Sequence, residues 1–137
     1  MNDVKFTDNS IQVIAQINRE VINALEEASG ELESQVKRNT KVRTGKTKAS
    51  WTHKVNSAKN EAYVGSNYEN AIWEEFGTGI YAQNGDGRKD VPWVYQDESG
   101  KWHRTSGKKP RKALQKAFST LKNRIESFFI ERFKKLW

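Results

Sequence analysis

Apolar residues step through the first quarter of the chain at intervals of three and four: Ile14, Ile17, Val21, Leu25, Ala28, Leu32 and Val36. That is the period of an amphipathic helix, and Asn9 with Gln12 three residues on forms a capping-box variant at its start. The pattern predicts a helix over roughly Ser10 to Arg38. At about 1.5 Å per residue it reaches on the order of 40 Å, more than a compact domain of this size spans, so a core role and a contact with a neighbouring subunit both stay open. Gly30 marks a bend or a close helix contact. A second stripe, Leu114, Ala117, Phe118, Leu121, Ile125, Phe128, Phe129, Phe133 and Leu136, predicts a closing helix over 110–137. Pro110 suits its first turn, and Lys134 and Lys135 suit the dipole at its end. Phe128, Phe129, Phe133 and Trp137 make that end more aromatic than solvent exposure requires, so the sheet or a neighbouring subunit is expected to cover it.

Between the helices the period changes to two. Trp51, His53 and Val55 share one face of a strand, and Ala62 and Val64 share one face of a second that ends at Gly65, which predicts a hairpin. His53 then packs as a strand residue. Val91 to Gln96 and Lys101 to Ser106 predict another hairpin around Asp97-Glu98-Ser99-Gly100. If Gln96 faces Lys101, Tyr95 faces Trp102 and Trp93 faces Arg104, and an aromatic ladder capped by a guanidinium lies on one side of the ribbon. Such a ladder serves either as packing with a cation–π contact or as a platform for nucleotide bases. Tyr68, Ile72 and Phe76 predict one or two helical turns leading into Gly77-Thr78-Gly79, where two glycines free the backbone within three residues. With Glu75, Phe76 and Tyr81 beside it, this corner is either a structural turn or a loop presented to a partner. Residues 82–90 carry no apolar side chain larger than alanine and predict a flexible loop. The fold class expected is α+β, with a long N-terminal and a C-terminal helix packed on a small antiparallel sheet of about four strands. The chain is read as one domain: a flexible start at 1–9, helix 10–38, basic loop 39–50, sheet with the glycine loop over 51–107, and helix 110–137.

Charge sharpens this picture. Residues 1–36 carry a net −5, 37–59 a net +8, 60–99 a net −6 and 100–137 a net +10, which together give +7 over 137 residues. Alternating blocks of this kind suit pairing across subunits of an assembly. The richest short stretch, Lys37, Arg38, Lys41, Arg43, Lys46 and Lys48, lacks apolar periodicity and predicts an exposed, mobile basic loop that meets phosphates or docks on an acidic neighbour. With no cysteine and two histidines, disulfides and Cys or His metal clusters are not expected. Mean hydropathy is −0.91, and no window is apolar enough for a membrane span or a signal peptide. Glu74 and Glu75 are neighbours and so point to different helix sides rather than converging as a catalytic pair. No nucleophile, phosphate-loop or metal constellation is visible, so neither an enzyme nor a cofactor is expected.

The motifs in their order carry one further indication. Thr44-Gly45 after a long first helix, a small hairpin ending in Val64-Gly65-Ser66, Tyr68 leading to Glu75-Phe76-Gly77-Thr78-Gly79, then Trp93-Val94-Tyr95, Gly100-Lys101, Thr105-Ser106-Gly107 and Pro110 follow one another. This order resembles the gene-product-ten-like family of tailed-bacteriophage proteins, assigned to the neck or to tail completion. The resemblance spans roughly residues 35–121, and Lys112-Ala113-Leu114 departs from it where the family pattern has a Pro-Phe-Leu-like start to the last helix. It implies an α+β domain and a non-enzymatic structural subunit of the virion, present in the host cytoplasm during assembly. It also implies a homo-oligomeric ring that meets other neck, connector or tail proteins, with non-specific contact to packaged DNA and none to membrane. Under that reading the glycine corner is a docking element that orders on assembly. The competing expectation is a stand-alone nucleic-acid-binding module that uses the basic loop with Trp93, Tyr95, Trp102 and Arg104.

Overall fold

A computed structural model describes residues 10–42 and 45–136. The extended piece expected at Val4–Phe6, the cap at Asn9, and Arg43, Thr44 and Trp137 lie outside the described residues. The chain runs α1 (Ser10–Asn39), α2 (Lys46–Ser50), β1 (Thr52–Asn56), β2 (Glu61–Gly65), α3 (Glu69–Phe76), a 3-10 turn (Gly79–Tyr81), β3 (Trp93–Gln96), β4 (Trp102–Thr105) and α4 (Ala113–Lys134). The class is α+β, and the four strands pair as two separate antiparallel ribbons, β1 with β2 and β3 with β4.

The two long helices lie antiparallel. Asn39 Nδ2 donates to the Ala113 carbonyl at 3.1 Å, Arg124 meets Glu31 at 3.0 Å, and Arg132 reaches Glu27 at 2.8 Å and Glu20 at 3.3 Å. The end of α1 therefore meets the start of α4, and Glu20 lies beside the last turns of α4. These pairs give the charge blocks a use inside the chain, as acids of the first block meet bases of the last. Each contributes at most about 1 kcal/mol at a solvated site, so they align the helices more than they stabilise them.

Small residues let the helices approach: Ala24, Ala28 and Ala117 are buried, with Leu121 beside them. Towards the α1 C-terminus the core thickens, with Val36, Trp51, Ala71, Ala113 and Ala117 buried together and Leu32, Val64, Tyr68 and Leu114 packed around them. Trp51 closes this core as the face shared with His53 and Val55 requires. Its Nε1–H donates to Thr40 Oγ1 at 3.0 Å, and that hydroxyl donates to the Val36 carbonyl at 2.7 Å. The indole buries its apolar body without stranding its donor. His53 lies on α1 as a packed strand residue, with Nδ1 3.2 Å from Glu33 and Nε2 3.4 Å from Glu26.

Two expected elements change. The basic stretch is largely helical, since Lys37 and Arg38 close α1 while Lys46 and Lys48 lie in α2; of its described cations, Lys41 alone sits in the connection. α4 begins at Ala113, three residues after Pro110, because Lys112 takes a left-handed conformation at φ 55° and no helix can form through it.

Candidate functional site

The glycine corner is bonded to a distant pass of the chain, and its order comes from the main chain. Thr78 N–H donates to the Lys108 carbonyl at 2.9 Å, Lys108 N–H returns to the Thr78 carbonyl at 3.3 Å, and Ile80 N–H donates to the Ser106 carbonyl at 3.1 Å. Lys108 N–H also reaches Thr78 Oγ1 at 2.9 Å. The segment following β4 thus runs against Thr78–Ile80 like an added strand. Three glycines from three passes of the chain permit the approach. A Cβ on Gly79 would overlap the Ser106 carbonyl, one on Gly107 the Thr78 carbonyl, and one on Gly87 the Gly79 carbonyl. Gly79 is also in the left-handed region at φ 59°. Far from being a loop that awaits a partner to order it, the corner is fixed within the chain. Gly87, expected in a flexible loop, is one of the three contacts that fix it; close backbone approach is the signal that a glycine in an otherwise polar stretch carries.

Glu75 anchors the other side. It is buried, 3% exposed, and accepts from Leu114 N–H at 2.7 Å, Gln115 N–H at 3.1 Å and the Gln115 side-chain amide at 3.1 Å. No side chain of its own caps α4, so a carboxylate 39 residues earlier satisfies the orphan donors of its first turn and sits at the positive end of its dipole. Gln83 is drawn in through Gln115, and Arg111 N–H donates to the Glu74 carbonyl at 2.7 Å. Glu75 therefore acts as structure, and the separate courses of Glu74 and Glu75 hold: Glu74 turns to Lys108 at 3.1 Å.

This rigid corner carries apolar side chains outward. Ile72, Trp73, Phe76, Ile80 and Tyr81 are all at least 40% exposed. Residues 72, 73 and 76 lie on the side of α3 away from buried Ala71 and Glu75, and Lys109 Nζ stands 5.9 Å from the Tyr81 ring centroid. Single exposed apolar residues need no account, but five within ten residues on a fixed scaffold leave apolar surface of the kind that marks a protein contact.

The second hairpin corrects its expected register. Gln96 pairs with Trp102, Tyr95 with His103, Val94 with Arg104 and Trp93 with Thr105. The one-residue slip moves Trp102 and Arg104 to the opposite face from Trp93 and Tyr95, so the four-member ladder does not form. Tyr95 instead stacks on His103 with centroids 5.1 Å apart, and the cation near Trp93 is Arg88, 5.2 Å from its ring centroid. The cause is the turn. Asp97 N–H donates to the Lys101 carbonyl at 2.9 Å, which leaves a three-residue loop with Gly100 at φ 86°, the geometry of a type I turn followed by a bulge.

Asp97 holds that turn. Its Oδ1 accepts from Ser99 N–H, Ser99 Oγ and Lys101 N–H, and its Oδ2 lies 2.7 Å from His103 Nε2. Serine, aspartate and histidine are present, but the carboxylate stands between the other two, whereas nucleophilic catalysis requires the imidazole in the middle. The hydrogen bond from Ser99, then those from His103 and Lys101, hold the Asp97 carboxyl well below the usual carboxylate range. A depressed pKa contributes stability above the unfolded value and loses it as pH falls. Acidification below about pH 4, where a free aspartate is already half protonated, is expected to loosen this hairpin. Loss of the Tyr95–His103 ring contact in a pH series of NMR spectra checks this, and an Asp97→Asn variant should start from the loosened state and show a flatter acid limb.

Among the described residues no group of three or more His, Asp or Glu side chains gathers in metal-binding geometry, and no helix is long and apolar enough to cross a membrane. A shallow cleft of about 440 Å³ between α1 and the β1–β2 turn is lined by Asn18, Arg19, Asn23 and Asn60 among others and holds no carboxylate or histidine. Comparison of the chain with protein-family models, with curated proteins and with solved structures finds no match.

Proposed function

We propose that this protein is a structural subunit of a tailed-phage virion, acting at the head–tail joint or in tail completion and assembling as a ring through subunit–subunit contacts. The observation that carries the proposal is the exposed run Ile72, Trp73, Phe76, Ile80 and Tyr81 on the glycine-locked corner. A surface whose backbone is fixed before assembly loses little entropy on docking, and a heterologous contact made once recurs around a closed ring. The resemblance in motif order runs through this same segment. The competing module, with bases stacked on a ladder of Trp93, Tyr95 and Trp102, loses its platform because the observed register splits those rings between two faces.

Sedimentation of the purified protein, alone over a range of concentrations and with tail or connector proteins, tests the proposal. The expected result is a discrete higher assembly that a Trp73→Ser/Ile80→Ser variant weakens at least tenfold while circular dichroism stays unchanged. A monomer at every concentration and with every partner would overturn it.

A further inference from the structure

We infer that the junction where α1 ends and α4 begins binds the phosphate backbone of nucleic acid, irrespective of sequence. Between Ser99 and Ile125 the chain holds nine cations and no carboxylate. Two of the nine are committed, Lys108 to Glu74 and Arg124 to Glu31. The bond from Asn39 to the Ala113 carbonyl brings the last turn of α1 onto the first turn of α4. Arg38 and Lys41 from one side thereby join Lys109, Arg111, Lys112 and Lys116 from the other, and Lys41 and Arg111 border one crevice that Glu74 and Glu75 also line. Five of these six side chains are exposed and Lys112 is half-buried. Among the described residues none of the six has a carboxylate within ion-pair distance.

Nearby acids do not offset this charge. Glu75 is turned inward onto the amides of Leu114 and Gln115, and Glu74 is held by Lys108. Six cations at one end of a small domain repel one another, a cost that a polyanion relieves. A second copy of the chain is a poor source of that counter-charge. Its exposed carboxylates without a described ion pair, Glu61, Glu69, Asp86, Glu126 and Glu131, are scattered over β2, α3, the loop after the 3-10 turn and the far half of α4. A regular row of phosphates matches the cluster; isolated carboxylates do not. Lysine and arginine on an open surface contact phosphates without reading bases.

Titration of duplex DNA of random sequence from 50 to 200 mM salt tests the inference. Engagement of about five cations gives a slope of log affinity against log salt near −4 to −5. An Arg111→Gln/Lys112→Gln/Lys116→Gln variant should lower its magnitude by about 2 to 3. A control that removes the same charge elsewhere, Lys54→Gln/Lys59→Gln/Lys134→Gln, should leave it within about 1. If the triple variant loses its helical circular dichroism, Lys116→Gln alone replaces it, with an expected loss of about 1 in slope. Equal loss in variant and control, no binding at 50 mM salt, or tighter binding to polyglutamate than to DNA would each overturn the inference. It stands apart from the assembly proposal, because sedimentation reads one and DNA titration the other.

Discussion

Gly79→Ala is expected to destabilise the protein by about 2–5 kcal/mol, adding roughly 1–2 for a left-handed alanine to roughly 1–3 for overpacking against fixed backbone. The Ser106 carbonyl that the new methyl meets is held in place by the Ile80 N–H, so it cannot move without breaking the bridge that orders the corner. Gly107→Ala, which meets the Thr78 carbonyl, should cost a similar amount. Gly45→Ala is the control: its φ is also positive, at 84°, but nothing lies within 4 Å of the added carbon, so only the conformational cost of roughly 1–2 kcal/mol applies. Urea unfolding of the three variants separates the two contributions. A Gly79→Ala loss no larger than that of Gly45→Ala would show that the three chain passes do not pack as described. Because a small domain has only about 5–15 kcal/mol of total stability, the larger loss should also be visible as reduced soluble yield.

The second large effect is expected from Glu75→Ala. Removal of the carboxylate leaves the Leu114 and Gln115 amides inside the fold without an acceptor, at about 1–3 kcal/mol each, and withdraws a negative charge from the start of α4, worth about 0.3–1 kcal/mol more. A total of about 4 kcal/mol follows, with amide exchange at Leu114 and Gln115 rising first as the helix start frays. Glu75→Gln keeps the shape and one acceptor, and should recover about half of the loss by retaining a hydrogen bond while losing the charge. Were the alanine variant within 1 kcal/mol of the parent, the role of Glu75 in starting α4 would be wrong. The same experiment bears on assembly, since α3 carries Glu75 on one side and the Ile72, Trp73 and Phe76 patch on the other; loosening α4 should blunt the patch as well.

What could be read from the residues followed from local physics. The span of α1, the β1–β2 hairpin with buried Trp51 just before it, and the turns of α3 were all legible, because periodicity of three to four or of two records which face meets the core. The register of β3 and β4 was open to a closer reading: a three-residue loop ending on glycine, with an Asp able to close it, is a local signal. Counting a four-residue loop instead moved Trp102 and Arg104 to the wrong face. The helical placement of Lys46 and Lys48 left no such trace, as five residues without an apolar stripe carry no period, and α2 is held by partners elsewhere, Thr47 by Asn70 and Lys46 by Glu98.

The sequence by itself determined the class, the long helices and the strands, since each of these depends on side chains close together along the chain. Only the tertiary structure decided that Glu75 starts a helix 39 residues away, that Gly79, Gly87 and Gly107 meet, that acids of α1 pair with arginines of α4, and that the cations of two helix ends form one cluster. Contacts at such separations have no period and no spacing to betray them. They exist because burying the core forces the segments together, after which each polar group and each glycine must fit what it meets.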